Sequence, residues 1–181
     1  MIKKKKTFKC DLHIHSCLSP CADILMTPGN IIKKAVEVGL DIIAVTDHNT
    51  AGNVEVALKL AAEAGLIIIP GMEVESIEEI HLLCFFDSLL QLKKWDEIVD
   101  KSLPDLKNDE SSFGYQILTD ERDEYIAKED KLLAAATSLS VNEIVEIVTS
   151  LHGIVIPSHV DRPYNSIIGQ LGFIPPEIDI S

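Results

Sequence analysis

Five of the chain's six histidines stand at or beside the end of a short apolar stretch. The six are His13, His15, His48, His81, His152 and His159. In α/β folds the ends of strands carry the groups that bind ligands, and imidazole is the commonest metal ligand among protein side chains. The placement of these histidines therefore indicates a metal site.

His13 and His15 form the most specific pair. They are two residues apart in the alternating stretch 8–15, so their rings project from one face of a strand with Cα atoms roughly 6–7 Å apart. Asp11 shares this face, opposite an apolar stripe. We expect the two rings to bind one ion; the alternative is a pair of surface histidines on an edge strand.

Two further segments place an acid or a histidine after an apolar run. Asp47 precedes His48, and it either orients that ring, as partners of metal-binding histidines do, or caps a helix beside a solvent-facing histidine. Glu73 follows the Pro70-Gly71 turn, where a carboxylate can bridge two cations. The alternative is that Glu73 and Glu75 are a pair of solvated acids.

The remaining histidines divide into two groups. His81 begins the apolar run that leads to Cys84, and His159 follows the run 154–156, so both are candidate ligands. His152 stands beside Gly153 at a predicted helix end, where a histidine interacts favourably with the helix dipole. We expect His152 to lie outside the site.

Hydrophobic periodicity predicts the elements that position these residues. The expected elements are strands over 8–15, 42–45, 66–69, 80–86 and 154–156, and helices from Thr27 to Gly39, over 54–64, after the capping residue Asp87, and from Ser140 to about Leu151. This alternation predicts an α/β fold with a largely parallel sheet. A charged segment over 103–131 interrupts it, and we expect a hairpin-like surface insertion there without chemistry.

Four segments, in this order, resemble the PHP domain, named for polymerase and histidinol phosphatase. They are DLHIHS at 11–16, GLDIIAVTDHNT at 39–50, PGMEVES at 70–76 with His81 after it, and SHVDRP at 158–163. The resemblance implies a distorted (β/α)7 TIM-like barrel with two or three divalent ions, which are zinc, manganese or iron. It further implies one ion on His13, His15 and Glu73, a second on Glu73, His81 and His159, and a third at His48.

This chain departs from the family pattern at two places. The loop after His15 offers Cys21 or Asp23 to the third ion, and we favour Cys21, whose thiolate would favour zinc. A packed or redox-active pair of Cys17 and Cys21 is the alternative. The chain also has no Asp-x-His after His159, and a new strand pattern starts at Ile178.

These departures set the expected organisation of the chain. We expect a single PHP-like domain over 1–181 whose barrel is incomplete at the C-terminus, because its final units are missing. Cys10 and Cys84 stand in apolar strand patterns and are expected to be small core residues.

Composition limits the partners. The 181 residues are 46% hydrophobic and carry a formal charge of −13, which argues against a disordered chain, a membrane protein and a surface that binds long duplex nucleic acid. Four cysteines and the absence of a secretion signal predict a cytoplasmic protein; the oligomeric state is not predictable.

The expected activity is metal-dependent hydrolysis of phosphate esters, either phosphomonoesters or short nucleotides. Glu73 and Arg162 are the expected catalytic residues: Glu73 bridges the ions, and Arg162 pairs with a phosphate of a small phosphorylated substrate. Two alternatives stay open, a non-catalytic metal-binding or regulatory module and a metallohydrolase of C–N bonds.

Overall fold

The computed structural model describes residues 6–176, and the strand pattern at Ile178 lies outside this range. In chain order the elements are β1 (Cys10–Ile14), α1 (Pro28–Glu37), β2 (Ile42–Val45), α2 (Val54–Ala64), β3 (Ile67–Ile68), β4 (Gly71–Glu75), β5 (His81–Phe85), α3 (Leu89–Ser102), α4 (Glu110–Phe113), β6 (Ile117–Thr119), β7 (Tyr125–Lys128), α5 (Val141–Ser150), β8 (Ile154–Pro157) and α6 (Ile167–Leu171). The predicted mixed α/β fold is confirmed. The seven-unit barrel stays a prediction.

The described strands pair into three sheets. β1, β2 and β3 are parallel, whereas β5 pairs antiparallel with both β4 and β8, and β6 pairs antiparallel with β7. A parallel bridge between His48 and Glu73 joins the first two sheets. The expectation of a largely parallel sheet is therefore wrong for the second sheet. The link 76–80 between β4 and β5 is too short for the crossover that parallel strands require.

β4 is a strand that the sequence pattern does not predict. Pro70-Gly71 resembles a turn, but Gly71 is the first residue of β4. A Cβ atom at Gly71 would lie 2.9 Å from the Phe85 ring and 3.0 Å from the Thr46 methyl group. Glycine therefore allows the chain to enter the sheet directly after the proline.

Local capping signals predict the helices well. The Thr27 side chain accepts a hydrogen bond at the start of α1, and Ser140 and Glu143 form the predicted capping box of α5. The cap of α3 is Ser88 rather than Asp87, because the Ser88 side chain accepts from the backbone N–H of Gln91. The four longer helices, α1, α2, α3 and α5, bury one stripe each, and Trp95 of α3 is fully buried against the sheets.

Of the two cysteines that were expected in the core, one is buried and one is exposed. Cys84 on the central strand β5 is fully buried, as expected for a core residue. The prediction for Cys10 is wrong: it is exposed, because the first residues of β1, an edge strand, are uncovered.

The charged middle segment contains the predicted hairpin, β6 and β7. The segment is not only the expected surface insertion, because Ile117 and Thr119 of the hairpin are buried. The fully buried Asn53 donates to the carbonyl of Ile117 (3.0 Å) and accepts from the N–H of Thr119 (3.3 Å). Asn53 also donates to the hydroxyl of Ser16, so it links the hairpin to the loop that follows His15.

No helix within residues 6–176 combines the length and the apolar character that a membrane crossing requires.

Candidate metal centre

The direction of β5 explains why its first residue joins side chains from the ends of other strands. His81 pairs with Glu75, the last residue of β4, and the next residue pairs with Pro157 at the end of β8. Because β5 is antiparallel to both neighbours, its start lies at the edge where they end. His159 follows β8 at this same edge.

Five histidine rings converge on the carboxylate of Glu73, which is only 1% exposed. Its Oε1 lies 3.2 Å from His13 Nε2, 3.3 Å from His81 Nδ1 and 3.5 Å from His159 Nε2. Its Oε2 lies 3.1 Å from His15 Nε2 and 3.3 Å from His48 Nδ1. The site residues predicted on separate strands are therefore brought together around one carboxylate.

The spacing of these atoms suits divalent cations. His13 Nε2 and His15 Nε2 are 3.0 Å apart, and two nitrogens on one tetrahedral zinc ion are about 3.4 Å apart. Among the described residues, four buried atoms of the cluster have no well-formed hydrogen bond: His48 Nδ1, Glu73 Oε1, His81 Nδ1 and His159 Nδ1. Buried polar atoms are rarely left without partners. The cluster thus has the ligand types that a metal ion would use, and several of its buried nitrogen and oxygen atoms have no other partner.

Electrostatics at the centre also favour cations. Burial lowers the pKa of His48 to about 3, so this ring is neutral and keeps a lone pair. Burial opposes charge at His15 as well, but its contacts with Cys21 and Glu73 raise its pKa to about 10. Burial alone would raise the pKa of Glu73, yet its close contacts with the surrounding histidine rings hold it far below its ordinary value. The centre is therefore built around an ionised carboxylate.

Ser19 is a functional residue that the sequence analysis missed. Its single hydroxyl hydrogen is donated to Oδ1 of the buried Asp47 (2.7 Å), an oxygen that also accepts from the N–H of Ser16 (2.6 Å). The Ser19 oxygen therefore accepts from the N–H of His48 (3.0 Å) and from Nδ1 of His15 (3.0 Å). This network places a proton of His15 on Nδ1, so Nε2, which faces Glu73, is the nitrogen that can give up its proton and bind an ion.

Both sequence interpretations of Asp47 need correction. Asp47 reaches the centre through Ser19 and His15 rather than through the His48 ring, and α2 begins after Asn53 rather than at Asp47. The buried carboxylate holds the loop 16–19 in place. Nothing in a single sequence separates Ser19 from an ordinary loop serine, because its role depends on how that loop folds back.

Asn165 is the second missed residue. Its backbone carbonyl accepts from the N–H of His81 (3.1 Å), and its side-chain nitrogen lies 3.0 Å from His81 Nε2. Asn165 adopts a left-handed backbone with φ of 56°, which asparagine tolerates better than most residues. It supports His81 from the side opposite Glu73.

The predicted site of the third ion, at Cys21 and His48, is more exposed to solvent than the site around Glu73. Cys21 is exposed, and its Sγ lies 3.6 Å from His15 Nδ1. Cys21, His15 and His48 can place one ligand atom each within 4.8 Å of one another. Asp23 instead accepts a hydrogen bond from the N–H of Leu25 (2.8 Å).

The alternatives to the predicted ligands occupy other positions. Cys17 is buried, its thiol faces the carbonyl of Ile117 (3.5 Å), and both Cys17 and Cys21 are free. His152 is exposed just after the end of α5 and does not line the cavity over the cluster.

This cavity has a volume of about 690 Å³. Besides Cys21, Glu73 and the five clustered histidines, it is lined by Arg162, Pro163, Tyr164 and Asn165. Arg162, the predicted phosphate partner, is thus on the cavity wall, and its backbone N–H donates to the carbonyl of His159 (3.0 Å).

Known proteins resemble this chain in sequence and in fold. The 5′-3′ exoribonuclease Rnm of Salmonella typhimurium is 36% identical over 73 residues, a match that covers 39% of this chain and 24% of that protein. A Bifidobacterium adolescentis protein assigned as a metal-dependent phosphoesterase superposes with a TM-score of 0.58 and 19% identity, covering 88% of this chain and 70% of that chain. Endonuclease Q of Pyrococcus furiosus has a TM-score of 0.63 and 20% identity, covering 96% of this chain and 40% of that chain.

A further structure of endonuclease Q, in complex with a 27-mer duplex, matches with the same TM-score of 0.63. At these identities the superpositions show the fold alone, and the chain spans less than half of the length of the first curated relatives that it matches. The family model of the PHP domain, however, matches residues 11–168, which include the whole histidine cluster. The chain therefore belongs to the PHP domain family.

Proposed function

We propose that this chain is a metal-dependent hydrolase of phosphate esters, acting on phosphomonoesters or short nucleotides within a distorted seven-unit barrel. The observation that supports this most directly is the convergence of five histidine rings on the buried Glu73, at 3.1–3.5 Å. A cluster of this kind has few structural uses, because imidazoles packed around a carboxylate leave buried lone pairs without partners.

Each proposed ligand has a defined place. His13, His15 and Glu73 would hold one divalent ion, and Glu73 would bridge to a second ion on His81 and His159. Cys21 and His48 would hold a third, where a thiolate favours zinc over magnesium. Zinc, manganese and iron all suit the imidazole-rich part of the cluster.

The roles of the protein groups follow from their positions. The chemistry that divalent ions supply in such sites is polarisation of a phosphate ester and activation of water. Glu73, whose carboxylate is buried, would hold the two ions close together and offset their positive charge. Arg162, on the cavity wall, pairs with phosphate oxygens of the substrate, for which the planar guanidinium is well suited.

The charge of the chain favours small substrates. With a formal charge of −13, most of the surface repels a polyanion. Endonuclease Q binds a duplex on a related fold, so the expectation against long duplex DNA depends on the charge of this chain and not on its fold. A long duplex is therefore one of the substrates to be tested.

The test combines metal analysis with a substrate panel. After removal of metal with a chelator, the protein is reloaded with zinc, manganese or iron and assayed on p-nitrophenyl phosphate, a 5′-mononucleotide, a short RNA, a long duplex DNA and an N-acyl amino acid. Glu73→Gln should lower metal content and reduce hydrolysis by about 100-fold or more. Glu63→Gln, at an exposed position of α2, is the matched control and should change neither.

The outcomes separate the alternatives. Hydrolysis of the phosphate esters that depends on metal and on Glu73 supports the proposal. Stoichiometric metal binding without hydrolysis of any substrate would contradict it in favour of a non-catalytic module. Hydrolysis of the amide alone would favour a C–N metallohydrolase.

A further inference from the structure

The loop 158–166 forms one wall of the cavity over the histidine cluster. Arg162, Pro163, Tyr164 and Asn165 line the cavity together with His159. Its volume of about 690 Å³ lies within the ~300–1,000 Å³ of pockets that enclose small organic ligands. The cavity is therefore large enough for a ligand bigger than inorganic phosphate.

This wall is fixed to the centre itself. Asn165 makes two contacts with His81, through its backbone carbonyl and its side chain. The Ser166 hydroxyl donates to the carbonyl of Arg162 (2.6 Å), and the N–H of Arg162 donates to the carbonyl of His159. Residues between these anchors are therefore held at a defined position relative to the proposed ligands.

Tyr164 is the unusual member of the wall. The residue is 78% exposed, the largest exposed fraction among the large hydrophobic residues of 6–176. An aromatic residue that lines a cavity and is exposed to this extent can offer a face of its ring to a ligand. A flat, π-bonded group is the partner that such a ring stacks on.

The charges of the wall limit the ligand further. Among the residues that line the cavity, Arg162 is the only arginine or lysine. One guanidinium pairs with one phosphate group, so the described wall of the cavity offers a position for one phosphate rather than for a row of phosphates.

We propose that Tyr164 and Arg162 form a subsite for a single nucleotide, in which Tyr164 stacks on one unpaired base and Arg162 pairs with the phosphate beside it. This inference rests on the proposed phosphoesterase function and specifies its substrate class. The ligand is a mononucleotide or the terminal nucleotide of a single strand. A base within a duplex is already stacked and paired, and it would have to leave the helix to reach Tyr164.

The experiment compares two ligands that share a phosphate but differ in the base. Zinc-loaded protein is titrated with the phosphonate analogue of the fluorescent nucleotide 2-aminopurine riboside 5′-monophosphate, whose emission is quenched by stacking, and with the phosphonate analogue of ribose 5-phosphate as competitor, because a phosphoesterase does not cleave their P–C bonds. Tyr164→Ala should weaken binding of the nucleotide analogue by about tenfold and leave that of the ribose 5-phosphate analogue unchanged, as expected for the loss of one stacked base. Tyr164→Phe should retain both affinities.

The controls separate this inference from the proposed function. Tyr125→Ala removes another exposed tyrosine, on β7 in the hairpin, and should alter neither affinity. If Tyr164→Ala weakens the two ligands equally or not at all, the stacking subsite is wrong while the phosphoesterase proposal stands. If neither ligand binds the metal-loaded wild-type protein, the proposed function fails and this inference fails with it.

Discussion

Ser19 shows how a side chain that touches no ion can prepare a ligand. Its oxygen accepts from His15 Nδ1 because its own hydrogen is committed to Asp47. Without this acceptor, the proton of His15 is free to move to Nε2, the nitrogen that faces Glu73. Partners of this kind fix both the tautomer and the orientation of a metal-binding ring.

We therefore expect Ser19→Ala to weaken zinc binding by about 10- to 100-fold, the usual effect of removing such a partner. Competition with a chromophoric chelator measures the affinity, and ¹⁵N NMR of the histidine rings reports the tautomer of His15. Ser112→Ala, at an exposed position, is the control. An unchanged affinity, or a His15 whose proton lies on Nε2 in the zinc-loaded wild-type protein, would contradict the assignment.

Cys21 lies at the open edge of the centre. Because its thiol is exposed and packs against little, Cys21→Ser should leave the fold intact while lowering metal content by at most one ion. Elemental analysis measures the ions and circular dichroism checks the fold. Cys10→Ser, also at an exposed position, should leave the metal content unchanged. If Cys21→Ser retains every ion at full occupancy, Cys21 is not a ligand.

Protons compete with metal at this centre. Burial disfavours charge on His15 and His81, but their contacts raise the pKa of His15 to about 10 and that of His81 to about 9. Both rings therefore carry an extra proton near pH 7 in the metal-free protein, and an incoming ion must displace it. Zinc affinity should rise between about pH 6 and pH 8, by up to about tenfold per pH unit for each displaced proton.

Calorimetry in two buffers of different ionisation enthalpy measures this proton release directly. Zinc binding should release protons, since a group whose pKa lies above the working pH loses its proton only when the ion binds. Heat that is identical in both buffers, together with an affinity that does not vary with pH, would show that the rings are already neutral.

At the scale of elements, the sequence predicts the helices, whose ends depend on local contacts. It does not predict the strand pairing, which depends on distant segments. Thr27, Ser140 and Gly65 mark helix ends through contacts within a few residues, so the sequence pattern identifies them. β4 and the direction of β5 depend on pairing with distant segments, and a pattern along the chain contains no information about strand direction.

The candidate site follows the same division. The grouping of His13, His15, Glu73 and His159 could be predicted, because the ends of strands meet at one edge of a sheet. The position of His81 depends on the antiparallel direction of β5, which the sequence pattern did not predict. Ser19 and Asn165 could not, because loops position them through contacts with His15 and His81 that no spacing rule encodes.

Asn53 tests whether the hairpin is integral to the fold. Its side chain is fully buried and bonds to Ser16, Ile117 and Thr119. Asn53→Ala would leave buried partners unsatisfied and should lower the free energy of unfolding by about 2–3 kcal/mol.

Chemical denaturation measures this loss, and hydrogen exchange should show it first in β6 and β7. Asn142→Ala, on the exposed face of α5, serves as the control and should be close to neutral. A hairpin whose exchange protection is unaffected by Asn53→Ala would be held by other contacts.

At the scale of the whole molecule, the centre with its proposed ions would be a small cationic region on an acidic protein. The centre contains five histidines, Arg162 and the proposed ions, all beside one cavity. The chain as a whole carries 29 acidic residues against 16 lysines and arginines. The field of the acidic surface reaches only about 10 Å in 0.1 M salt. A short substrate can therefore approach the centre with little repulsion, while a long polyanion must also run along the acidic surface.

This arrangement predicts an unusual response to salt. We expect kcat/KM for a 5′-phosphorylated dinucleotide to exceed that for a single strand of about 20 nucleotides at low ionic strength, since repulsion grows with the length of the polyanion. Raising salt from about 20 to about 200 mM should narrow this difference, because screening weakens the repulsion. Proteins that bind nucleic acid through clustered cations behave in the opposite way, since salt weakens their binding steeply. Steady-state rates in sodium chloride, compared with sucrose at equal osmolarity, separate the charge effect from a general solvent effect. A steep fall in kcat/KM for the long strand as salt rises would reveal a cationic path to the centre, and the preference for short substrates would then be wrong.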